Sequence, residues 1–113
     1  MHVFKGKNKS QTTKELLGIN ADNFTLWIKF QIPFGYKVND IGPILHLDHV
    51  LPLNSFNLED PEQQNRACNY VNIRPLPAKE NIIKKDKIDI SQYHKQLVNA
   101  QFFTTNVLNN QLL

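Results

Sequence analysis

An apolar run broken by two imidazoles and a carboxylate limits what this chain can become. Ile44, Leu45, Leu47, Val50 and Leu51 surround His46, Asp48 and His49, so a strand-like segment carries side chains suited to metal binding or proton transfer. In an extended chain alternate residues share a face, which puts His46 beside Asp48 and turns His49 away unless the backbone bends there. Pro52, just downstream, favours such a bend.

A chain of 113 residues supports one domain with a modest core, and no repeat unit is visible. Hydrophobic residues make up 41% and charged residues 20%, the balance of a folded soluble protein and not of a disordered one. No apolar run approaches the roughly 20 residues of a membrane span, so no membrane partner is expected. The stretch Met1-His2-Val3-Phe4-Lys5-Gly6-Lys7 lacks the apolar centre of a signal peptide. With Cys68 the only cysteine, an intramolecular disulfide and a cysteine-pair zinc site are both excluded, and an intracellular, cytoplasmic setting is expected.

Net charge is only +3, yet the positive residues gather in two places. Lys5, Lys7, Lys9 and Lys14 form a basic N-terminal arm, and Lys79, Lys84, Lys85 and Lys87 crowd a second segment, with Glu59, Asp60 and Glu62 between them. Lysine-rich surfaces are ordinary, so this pattern suggests a polyanionic partner without establishing one.

Thr12 and Glu15 fit a capping box for a short helix that Gly18 stops. A second helix starts near Asn20 or Asp22, with Phe24, Trp27, Ile28 and Gln31 on one face; Phe24 and Trp27 read as core. Pro33, Gly35, Gly42 and Pro43 mark an irregular connection that Phe34, Tyr36 and Val38 are expected to anchor. Asp60-Pro61-Glu62 is a helix start, and that helix should run to about Asn69. Residues 70–76 read as a second strand closed by Pro75 and Pro77, and Pro77 can open a helix that places Asn81, Lys84 and Lys85 on one face. Ser91 is the expected cap of a last helix with Tyr93, Leu97 and Ala100 inward; Phe102 and Phe103 then either dock on the core or form a partner surface.

Taken in order, these elements resemble the ββα-metal unit of HNH endonucleases, and more narrowly the small HNH proteins of phages and large DNA viruses. That group carries a H-[IL]-D-H-[IV]-x-P run, then S-F-[DN]-L-x-D-P-E-Q-Q, a Y-x-N-[LI]-x-P-L strand and an A-K-[ED]-N helix. They fall here at residues 46–52, 55–64, 70–76 and 78–81. The match spans roughly residues 44–88, and its specificity lies in the ordered spacing, since a lone D-H pair means little. Arg74 and Pro77 depart from the glutamine and tryptophan that the family often carries there.

The resemblance implies an α+β fold in one HNH nuclease domain over residues 1–113: a ββα-metal (HNH/His-Me finger) core at about 44–88, an N-terminal helical extension at 10–32 and a C-terminal tail at 89–113. It implies a metal-dependent DNA endonuclease that nicks or cuts duplex DNA by a one-metal mechanism, inside a host cell if the source is a phage or virus. His49 would be the general base, and Asn72 would support it by bonding backbone across the loop. Asp48 and Asn81 would hold a divalent ion, magnesium first, with manganese, nickel or zinc as alternatives. His46 stays open between third ligand, phosphate contact and packing. Arg74, Lys79, Lys84 and Lys85 would track the DNA backbone. A nucleic-acid-binding module without activity and an RNA-directed nuclease are the alternatives, and oligomeric state is left open.

Overall fold

Helix starts in this chain follow from short polar side chains that accept from backbone N–H groups left free in a first turn. The structure is a computed structural model describing residues 12–112, so Lys5, Lys7 and Lys9 of the expected basic arm, and His2, lie outside the described residues. Thr12 Oγ1 accepts from Glu15 N at 3.1 Å and opens α1 (Thr13–Leu17). Gly18 closes it at φ 71°, where a Cβ would also lie 2.8 Å from the Asn69 amide nitrogen. Both conformation and space therefore demand glycine. Asn20 caps α2 (Ala21–Phe30) by accepting from Asn23 N at 2.8 Å.

Two strands, β1 (Leu45–His49) and β2 (Ile73–Pro77), pair antiparallel with Leu45 opposite Pro77, Leu47 opposite Pro75 and Asp48 opposite Arg74. Between them lies α3 (Pro61–Cys68), which Asp60 caps. The second strand begins at Ile73, later than the expected Tyr70, because the Asn69 side chain accepts from Val71 N at 3.0 Å and winds Tyr70–Asn72 into a 3₁₀ turn. Pro75 lies inside the strand, whereas Pro77 is its last residue and closes it as expected. Val50 N donates to Asn72 O at 2.9 Å and Ala78 N to Ile44 O at 2.9 Å. Counting along the ladder from these bonds, the backbone nitrogens of residues 75 and 77 face away from β1, where a missing N–H costs no pairing.

Pro77 leads without a loop into α4 (Ala78–Lys84), which packs against both strands, and a longer helix α5 (Ile90–Phe103) follows. Asp89, not Ser91, caps α5: its carboxylate accepts from Ser91 N at 3.0 Å and Gln92 N at 3.3 Å. The architecture is thus α+β, with helices around a two-stranded antiparallel sheet. Beyond α5 the chain continues through a π-helical turn (Thr104–Leu108) and a 3₁₀ turn (Asn109–Leu112). Among the described residues no helix is long and apolar enough to cross a membrane.

The core joins Leu17, Trp27, Ile28, Ile73, Ala100 and Phe103. Trp27 lies edge-on to Phe103 at 5.2 Å between ring centroids and to Tyr70 at 5.4 Å. Burying each large apolar side chain contributes about 1.5–3 kcal/mol. The carbonyl of Ile73 faces away from β1, and three side chains satisfy it: Trp27 Nε1 at 3.0 Å, Gln31 Nε2 at 3.2 Å and Gln96 Nε2 at 3.3 Å. These bonds attach β2 to α2 and α5.

Two expectations about packing fail. Phe34, Tyr36 and Val38 are exposed and anchor nothing in the core; Ile41 packs there instead, where Gly42 N donates to Leu45 O at 2.7 Å. Leu97 is exposed too, because α5 turns Gln96, Ala100 and Phe103 inward so that Gln96 can reach the carbonyls of Val71 and Ile73. Phe103 docks on the core as one of the two readings had it, whereas Phe102 stays exposed and stacks on Phe30.

Candidate active site

β1 stops at His49, and the chain turns through Val50 and Leu51 toward Pro52. At that end opens a cleft of about 390 Å³ lined by residues that include Asp48, His49, Asn54, Asn81, Lys84 and Lys85. Strand alternation by itself separates His49 from Asp48; the end of the strand brings both to the same cleft. Asn81 reaches it from α4, which follows β2 directly.

Asp48 is only 6% exposed, and both its carboxylate oxygens face cations. Arg74 Nε stands 3.3 Å from Oδ2 and Lys84 Nζ 3.3 Å from Oδ1. Arg74 is held a second time, donating from Nη1 to Gln92 Oε1 at 2.9 Å. Lys84 Nζ also donates to the His49 carbonyl at 3.0 Å. A buried carboxylate is costly unless paired, and here both partners are supplied from the neighbouring strand and helix.

His49 lines the cleft with its Nε2 buried and without a hydrogen-bond partner in the protein. Burial pushes its pKa below 6.5, the nearby Asp48 carboxylate pulls it up, and Lys84 pushes it down again. The result is an imidazole that stays neutral, and able to accept a proton, at lower pH than a free one.

Asn72 has no exposed surface, and its carboxamide is used up by backbone. Oδ1 accepts from Leu51 N at 2.8 Å, while Nδ2 donates to Leu51 O at 3.0 Å and to Ala67 O at 3.0 Å. Those bonds clamp the turn after His49 to the end of α3.

The remaining expected residues are scattered. His46 is half-buried on β1 opposite Leu76 and is not among the cleft's lining. Lys79 is exposed on α4, away from the cleft lining. Lys85 lines the cleft from an unusual backbone, φ 49° and ψ −125°, where it ends α4. Sequence reasoning missed Asn54 as a lining residue and Gln92 as the support of Arg74; neither carries a local signal, since both act through contacts made far along the chain. A second depression of about 390 Å³, on the Phe30 and Arg74 side, contains no histidine. Cys68 is buried and its thiol pKa is raised by that burial, which keeps it unreactive.

The donors at the cleft are a carboxylate and a carboxamide, hard oxygen ligands suited to a divalent ion that keeps several waters. Among the described residues no group of three or more His, Cys, Asp or Glu side chains gathers as a dedicated metal cage. His49 Nε2 beside them is buried without a protein partner, as is Gln64 Oε1 on α3.

No family profile matches the chain, and no solved structure does. Uncharacterized protein L426 of Acanthamoeba polyphaga mimivirus is 40% identical over 101 residues, 85% of this chain and 44% of its own length. Uncharacterized protein L246 of the same virus is 35% identical over 100 residues, covering 87% of this chain and 44% of its own. The chain thus spans less than half the length of these curated relatives. Its similarity to two mimivirus proteins agrees with the viral setting expected from the motifs, and it goes no further than that kinship.

Proposed function

We propose that this chain is an HNH-type nuclease domain, a ββα-metal unit that hydrolyses DNA phosphodiester bonds with the help of one divalent cation. The observation that carries the reading is the convergence of Asp48, His49 and Asn81, from β1 and α4, on one cleft whose adjoining turn is clamped by Asn72. Asp48 and Asn81 would hold the ion, magnesium in the first instance. Bound there, it would supply Lewis-acid stabilisation of charge on the phosphate and the leaving oxygen.

The chain's own groups supply the rest. His49, a neutral imidazole lining the cleft, takes the proton of the attacking water through a ring nitrogen. Asn72 keeps the turn behind His49 from shifting, so the imidazole is positioned before substrate arrives. Arg74, fixed between Asp48 and Gln92, holds the carboxylate's orientation. Lys85 at the cleft and Lys79 beyond it add positive charge for the DNA backbone, contacts that position without reading sequence.

A plasmid-nicking assay tests this directly. Wild-type protein should convert supercoiled to nicked or linear DNA with magnesium and not after chelation, and His49→Ala should lose this conversion while still binding DNA. Undiminished nicking by the variant would remove the base assignment. Turnover of RNA but not of duplex DNA would redirect the proposal to an RNA-directed nuclease.

A further inference from the structure

Asp48 is bound by two cations, one on each carboxylate oxygen, and only one of them lines the cleft. The Arg74 guanidinium is gripped at two points, by Asp48 Oδ2 and by Gln92 Oε1, and Arg74 lines the depression beside Phe30 instead of the cleft. The Lys84 ammonium sits at the cleft against two oxygens, Asp48 Oδ1 at 3.3 Å and His49 O at 3.0 Å. A carboxylate oxygen and a peptide carbonyl are the ligands a hard cation seeks. Lys84 comes from the last turn of α4 on a flexible four-carbon stem and lines the cleft, which is its route outward.

A divalent ion approaching Asp48 meets a positive charge already at Oδ1. Two cations cannot share that oxygen at close range without strong repulsion in a partly buried setting. We infer that Lys84 is an exchangeable internal cation of this cleft: its ammonium holds Asp48 until a divalent metal displaces it, and the freed ammonium then turns to the substrate phosphate. This inference rests on the reading of Asp48 as a metal ligand. Metal loading and phosphate binding are thereby coupled through one side chain, and the ion pair protects a buried carboxylate while the metal is absent.

The test measures metal binding, not cleavage. Manganese titrated calorimetrically into the wild-type chain, Lys84→Gln, Lys84→Met and Lys85→Gln compares loss of the competing ammonium with loss of another lysine of the same cleft. Both Lys84 variants should bind manganese on the order of tenfold more tightly, and Lys85→Gln should change affinity less than about threefold. In the unmutated chain, manganese should also raise acylation of Lys84 by an amine-reactive probe several-fold relative to Lys79, as read by peptide mass spectrometry. Equal tightening in the Lys84 and Lys85 variants, or none, together with Lys84 reactivity that manganese leaves unchanged, would overturn the exchange while leaving the metal site standing. Absence of manganese binding in every protein would overturn both the exchange and the metal reading beneath it.

Discussion

The two strands end differently, although they lie side by side. At the start of β2 every polar atom on view has a partner: the Asn72 carboxamide makes three backbone hydrogen bonds, and the Ile73 carbonyl accepts from three side chains. At the end of β1, directly opposite, His49 Nε2 is buried without a partner, Asp48 is held by two cations, and Lys85 nearby sits at positive φ. One end is built for rigidity. The other keeps unmet hydrogen-bonding capacity and charge next to a cleft, the division that the proposed nuclease reading requires between a scaffold and its site.

If that division is real, mutations at the two ends should separate activity from stability. The largest effect expected is from His49→Ala, which should lower the DNA-cleavage rate by about a thousandfold while leaving the urea midpoint nearly unchanged. A large stability loss with little change in rate would place His49 on the scaffold side. Asn72→Ala should do the reverse, leaving Leu51 N, Leu51 O and Ala67 O short of partners and lowering unfolding free energy by about 3 kcal/mol, read by chemical denaturation. Gln96→Leu removes one of three donors to Ile73 O together with the side-chain donor to Val71 O, and should cost about 1 kcal/mol in the same measurement.

Smaller effects sharpen the contrast. Lys85→Gly relieves a backbone that a side chain rarely adopts, so it should raise stability by about 0.5–1 kcal/mol while weakening DNA binding. Destabilisation by that change would show that Lys85 belongs to the scaffold. The pH response of His49 is the subtlest. Its folded pKa lies below 6.5, so the folded state binds fewer protons than the unfolded chain in that region. Its contribution to stability is therefore complete above pH 6.5 and declines as pH falls through the folded value. Cleavage should likewise persist below pH 6.5 and fall off only as pH drops through the lowered folded value, a profile that a free imidazole would not give.

Caps were legible where a second residue marked the helix start, as Glu15 does for Thr12 and Pro61 for Asp60. Asp89 was missed because Ser91, two residues on, offers the same chemistry, and only the backbone geometry shows that Asp89 accepts both amides. Periodicity pointed Leu97 inward, since it weighs apolarity alone; the structure turned Gln96 in to satisfy a carbonyl contributed by a distant strand. The motif singled out Asp48, His49 and Asn81, which line one cleft, and Asn72, which bonds backbone beside it, while the ion pairs around Asp48 were not legible. Arg74 and Lys84 are 26 and 36 positions away from it, beyond the reach of any local rule.

By itself the sequence determined most of which segments become helix and strand and where carboxylate, imidazole and carboxamide groups stand along the chain, because capping, proline placement and side-chain chemistry act within a few residues. Only the tertiary structure decided that Asp48 and His49 meet at one cleft despite strand alternation, that Lys84 and Arg74 divide the carboxylate between them, and that Asn72 holds the turn. Those outcomes depend on pairing register and on where β1 stops, which are set by contacts between parts of the chain that no local pattern joins.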